Sequence, residues 1–191
     1  MKIIKYFTNR HIWKLTMKKT DKIILFDIDD TLIKSKAKIC VLNSNKQIIK
    51  KLTPSQYNTY VKKEGETFSY SDFDNEEILN KAKQTNLWKT LRETYKKGIN
   101  VGIVTARENK EMLLRYFLNN GLDINRYLVF AVGGKSEKYK GKIKDRKRQV
   151  IEQLSARGYK KFVLYDDDEE NLKEVSQMEK RIGVEIETIK V

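Results

Sequence analysis

The chain has 191 residues, enough for one domain with a small insert, and no run approaches the roughly 20 apolar residues of a membrane-spanning helix. The single cysteine, Cys40, excludes an intrachain disulfide and a cysteine-based zinc cluster and fits a reducing, cytoplasmic setting. The formal net charge of +14 sits in two segments, residues 1–22 at +6 and 134–161 at +8. That concentration suits a polyanionic or phosphorylated partner, and it equally suits a solvated, lysine-rich surface.

Residues 1–21 are basic and mildly amphipathic, and lack the apolar core and small-residue cleavage site of a secretory signal. They read as an extra helix, a basic arm or a targeting peptide ahead of a domain spanning 22–191. Lys22–Phe26 is a short apolar run ending at acidic residues, as in a buried strand. Ala37–Leu42 and Lys46–Leu52 flank Asn43-Ser44-Asn45 and predict a hairpin. Thr53-Pro54-Ser55 predicts a helix start, with Thr53 as cap and Pro54 in the first turn. Gly65–Asp74 reads as an aromatic-bearing loop, and Glu76–Lys83 and Leu87–Lys97 as helices. Ile99–Val104 predicts a second buried strand, Asn109–Asn120 a helix, and Tyr127–Val132 a third strand before Gly133-Gly134. Asp145–Arg157 predicts a helix, Phe162–Tyr165 a fourth strand, Glu169–Lys180 a helix and Val184–Ile189 a last strand. Strands alternating with helices imply an α/β domain with a largely parallel sheet.

Three predicted strands end in reactive side chains, where open α/β sheets bind ligands. The first runs into Asp27-Ile28-Asp29-Asp30-Thr31, the second into Thr105-Ala106-Arg107, and the fourth into Asp166-Asp167-Asp168. Clustered carboxylates with a lysine nearby suit a hard cation and a phosphoryl group. His11 is the only histidine and lies outside the domain, so histidine catalysis has no candidate; no G-x-x-x-x-G-K-[ST] loop occurs.

Together these motifs resemble the haloacid dehalogenase (HAD) superfamily from Lys22 to about Leu172, with Asp166–Leu172 similar to its D-D-x-x-x-N-L form. The segment from Lys51 to Phe73 is similar to the insert of small phage-encoded HAD proteins related to polynucleotide phosphatases. The resemblance implies a Rossmann-like three-layer sandwich with a small flap or cap insert, about 34–98, after the first strand. It implies a Mg²⁺-dependent phosphatase with Asp27 as nucleophile and Asp29 as acid and base. Asp27, the Asp29 backbone carbonyl, Asp166 and Asp167 would hold the metal, and Thr105 would donate to a phosphate oxygen. Thr105 also suits a helix cap before Glu108. Lys142, Lys144 and Lys147 all precede the last motif; the spacing of Lys147 resembles the family pattern, which makes it the catalytic lysine expected to offset the charge of Asp27, Asp166 and phosphate, ahead of Lys144 and Lys142.

Tyr57, Tyr60, Phe68, Tyr70 and Phe73 either pack the insert's own core or stack on a base. The expected substrate is a nucleotide or a nucleic-acid phosphate end, with residues 1–22 and 134–161 as further contacts to nucleic acid. The alternative is a non-enzymatic nucleic-acid-binding or virion-associated protein that retains the fold.

Overall fold

The computed structural model describes residues 20–134 and 138–191, so most of the basic extension lies outside the described residues. In chain order the strands are β1 (Lys22–Phe26), β2 (Ile33–Lys34), β3 (Ile39–Leu42), β4 (Ile48–Leu52), β5 (Thr67–Ser69), β6 (Lys83–Gln84), β7 (Asn100–Thr105), β8 (Val129–Ala131), β9 (Lys161–Asp166) and β10 (Glu185–Lys190). The helices are α1 (Pro54–Asn58), α2 (Glu76–Asn80), α3 (Leu87–Lys96), α4 (Lys110–Asn119), α5 (Ile143–Ala156), α6 (Glu169–Ser176) and α7 (Met178–Ile182).

The main sheet has the order β10-β9-β1-β7-β8, and every neighbouring pair is parallel. Parallel neighbours need crossover helices, and these cover both faces. The two-residue period of each strand divides its apolar side chains between the layers. Ile23, Leu25, Phe162 and Leu164 pack with Val150, Ile151 and Leu154 of α5 and Val175 of α6. Phe26 and Ile103 pack on the other side with Trp88 and Leu91 of α3 and Leu113 and Phe117 of α4. At Gly102 a Cβ would lie 2.7 Å from Leu25 Cδ2 and 3.0 Å from the Leu128 carbonyl oxygen, so a larger residue would displace the Leu25 side chain and crowd the backbone just before β8.

After β1 the chain turns at Asp30, which adopts φ 58°. β2 and β6 then pair antiparallel, and the chain between them builds a small antiparallel sheet in the order β4-β3-β5. Asn43 closes the predicted hairpin, its side-chain oxygen accepting from the Asn45 and Gln47 amides at 3.0 and 2.9 Å. Thr53 caps α1 in a reciprocal box: its hydroxyl accepts from the Gln56 amide, and the Gln56 side chain accepts from the Thr53 amide. Tyr57, Tyr60, Phe68 and Phe73 pack on Ile39, Val41 and Leu52.

Some elements differ from expectation. The helix expected over Glu76–Lys83 ends at Asn80, because Lys83 and Gln84 are drawn into pairing with β2. The loop expected over Gly65–Asp74 contains β5 and a 3₁₀ turn. The helix expected over Glu169–Lys180 is two helices broken at Gln177. Among the described residues no helix is long and apolar enough to cross a membrane.

Candidate active site

The carboxyl ends of β1 and β9, adjacent in the sheet, bring Asp27 beside Asp166. The Asp27 amide donates to the Tyr165 carbonyl at 2.9 Å, which extends the ladder through the first residue of the motif. Lys147 on α5 lies between the two carboxylates, its Nζ 2.9 Å from Asp27 Oδ1 and 2.6 Å from Asp166 Oδ2. All three are buried. Asp166 Oδ1 accepts from the Asp168 amide at 3.0 Å and from Asn171 Nδ2 at 3.1 Å, so the carboxylate is held rigidly from both sides. Asn171 belongs to the final motif but was given no role in the sequence analysis; its service to Asp166 is positional. Asp168 caps α6 by accepting from the Glu170 amide at 2.8 Å, as an acidic helix start would.

Of the three candidate lysines, only Lys147 reaches the carboxylates. Lys144 pairs with Glu170 at 2.9 Å on the surface, and Lys142 lies in the cleft wall. Thr105 ends β7, buried, and its hydroxyl accepts from the Arg107 amide at 3.2 Å, leaving the hydroxyl hydrogen to donate elsewhere. It is not a helix cap: α4 begins after Asn109, whose side chain accepts from the Met112 amide at 3.0 Å.

Asp29 is placed differently from Asp27. Arg107, whose side chain is fully buried, grips it with two parallel bonds of 2.8 Å, from Nε and from an Nη, and the Ser35 hydroxyl donates to it at 3.2 Å. Arg107 also donates to the Phe73 carbonyl, and the Phe73 ring lies 5.3 Å from its guanidinium carbon. One side chain thus ties the first motif to the insert. The only sequence signal for this was Arg107 standing two residues after Thr105; its partners are 78 and 34 residues away.

The cluster is short of positive charge. Burial pushes the Asp27 carboxyl well above the usual carboxylate range, and Asp166 and Asp29 push it further, against the pull of Lys147. Burial alone would lower the Lys147 ammonium, but Asp27 and Asp166 raise it above its ordinary value. Burial and then Asp166 push Asp167 up to about 6. Asp27, Asp166 and Asp167 offer carboxylate oxygens within 4.8 Å of one another. Three hard oxygen donors around one ammonium fit a divalent cation such as Mg²⁺. The Asp29 side chain is outside this group.

A pH effect follows for the metal-free protein. Asp167 ionises near 3.8 when unfolded and near 6 when folded, so over that interval the folded state holds more protons. Unfolding free energy therefore falls as pH rises through this window. Denaturant titrations in chelator should show the decline reduced in Asp167→Asn by about 1–2 kcal/mol, a figure discounted for partial exposure.

The site opens into a cleft of about 860 Å³, lined by the ends of β1 and β7, the start of α5 and the insert. Gly133 lets the Val132–Gly134 turn pass close to β7's loop, where a Cβ would lie 1.9 Å from the Ala106 carbonyl oxygen.

No family model and no curated protein matches the sequence. Solved structures do resemble the fold. The HAD domain of the Legionella pneumophila effector protein Lem4, an inactive mutant, matches with a TM-score of 0.50 at 14% identity, covering 91% of this chain and 86% of that one. The chain has the fold of the HAD-superfamily hydrolases. A HAD-superfamily hydrolase from Geobacter sulfurreducens matches at TM-score 0.45 and 14% identity, covering 86% of this chain and 85% of that one. A haloacid dehalogenase-like family hydrolase from Streptococcus pneumoniae gives 0.42 and 11%, with coverages of 86% and 82%.

Proposed function

We propose that the chain hydrolyses phosphate monoesters through an aspartyl-phosphate on Asp27. The observation that carries this reading is the buried Asp27–Lys147–Asp166 arrangement, with Asp167 beside it, at the carboxyl ends of adjacent parallel strands. Asp27 attacks phosphorus, and the bond from phosphorus to the leaving oxygen breaks. Asp29, once one of its two bonds to Arg107 opens to let that oxygen carry a proton, gives the proton to the leaving oxygen and then takes one from the water that cleaves the aspartyl-phosphate. Thr105 donates to a phosphoryl oxygen, and Lys147 offsets the charge that gathers there. Asp27, Asp166, Asp167 and the Asp29 carbonyl would hold Mg²⁺, which neutralises the phosphoryl group so that a carboxylate can approach it.

The chain's basic charge favours an anionic ester such as a nucleotide; a nucleic-acid phosphate end, the other substrate expected, needs a track of free cations to hold its chain. A purely nucleic-acid-binding role gains little from the 134–161 segment. Lys144, Lys147, Arg148 and Lys161 are paired with acids, and Arg157 donates to the Tyr127 carbonyl. Arg146, expected to hold a polyanion, instead donates to the carbonyls of Val132, Gly134 and Gly141. It braces the loop over the cleft.

Turnover of a phosphate monoester should stop on chelation and return with Mg²⁺. A panel of nucleotides, phosphorylated oligonucleotides and sugar phosphates tests the reading; metal-independent turnover would refute it.

A further inference from the structure

We infer that the substrate's leaving group is an uncharged alcohol carrying a planar ring, a nucleoside or a phenol, and not a polynucleotide or a sugar. This rests on the phosphatase reading and narrows it.

The first argument is charge. The cleft wall carries seven carboxylates against four cations. Three of those cations are committed: Lys147 to Asp27 and Asp166, Arg107 to Asp29, and Arg146 to three backbone carbonyls. That leaves Lys142. A divalent cation would offset the carboxylates of the catalytic end, where the one phosphoryl group binds. Beyond it, Asp74 and Glu108 also line the cleft. A second phosphate in the cleft would meet carboxylates, whereas binding a polyanion requires lysines and arginines along its track.

The second argument is shape. The insert's side of the same cleft presents Tyr57, Tyr70 and Phe73 with Ile39 and Pro54. Tyr57 and Phe73 pack inward on the insert's core, but Tyr70 is 46% exposed. The hydroxyls of Tyr57 and Tyr70 are 2.7 Å apart, and the two rings meet edge to face at 5.9 Å. Tyr70 is thereby anchored at the cleft while nearly half exposed, where its ring is available for stacking. A sugar would leave this apolar wall unfilled. A planar ring would cover it, and Asp74 and Glu108 would accept from its N–H or O–H groups.

The test compares kcat/KM for thymidine monophosphate, phenyl phosphate, glycerol phosphate and an oligonucleotide with a terminal phosphate. The two ring-bearing monoesters should exceed glycerol phosphate by about tenfold or more, the range expected for one aromatic stack. In Tyr70→Ala that ratio should collapse by about the same factor, whereas Tyr70→Phe should keep it. Thymidine monophosphate ahead of phenyl phosphate assigns a nucleoside, and the reverse order a phenol; both support the inference. Preference for glycerol phosphate or the oligonucleotide overturns it, as does a ratio unchanged in Tyr70→Ala. If wild type hydrolyses none of the four, the phosphatase reading fails separately. Equilibrium dialysis on Asp27→Asn with Mg²⁺ then decides. Tighter binding of thymidine monophosphate or phenyl phosphate than of glycerol phosphate supports a ring-binding cleft. Equal binding or none overturns it.

Discussion

Asp27→Asn should lower kcat by about 10⁴-fold or more while leaving the protein folded, because it removes the attacking oxygen's charge and keeps the side chain's shape. Asp27 is buried and its charged form is opposed by Asp166 and Asp29, so losing that charge relieves repulsion as it loses a partner for Lys147. The two effects oppose each other, and stability should stay within about 1 kcal/mol of wild type. Steady-state turnover and a urea titration on the same preparation separate the outcomes. An inactive but unfolded variant would say nothing of chemistry; a folded and active one would remove Asp27 from the mechanism.

Lys147→Ala should be damaging in a different way. It leaves Asp27 and Asp166 buried without their shared ammonium, and breaking such a pair costs about 3–5 kcal/mol. The loss should depend on pH with a definite sign. Without Lys147 the Asp27 carboxyl holds its proton still more tightly in the folded state than in the unfolded one. The folded state is therefore favoured at low pH and loses that advantage as pH rises. Urea midpoints of the variant should approach wild type toward about pH 4 and fall away toward about pH 7. Mg²⁺ should restore part of the loss at neutral pH. A variant as stable as wild type at neutral pH without metal would mean that Lys147 does not neutralise the cluster.

The strands that carry the site were readable because each is a short apolar run stopped abruptly by polar residues: β1 at Asp27, β7 at Thr105 and β9 at Asp166. Burial on both faces writes that pattern locally. Lys147 was readable as one of three lysines, since a helical position facing the core must follow the spacing of Val150, Ile151 and Leu154. The two-residue pair of β2 and β6 has no periodicity to detect; it exists because the ends of the insert must meet. Arg107 and Arg146 were illegible for a related reason. A buried guanidinium is defined by the acceptors that fold around it, and those of Arg107 lie in β1's loop and in the insert. Arg146 read as one of the basic run's contacts to a polyanion, whereas three carbonyls of the preceding loop converge on it.

The proposal that Asp27 carries the phosphoryl group is tested most directly by rapid acid quench of a single turnover, followed by peptide mass mapping. The expected result is a phosphoryl group on the peptide containing Asp27, labile to hydroxylamine as an acyl phosphate must be, formed only with Mg²⁺ and absent from Asp27→Asn. Substrate hydrolysed in one turnover without any phosphoryl group on the protein, or with it on another residue, would contradict the assignment.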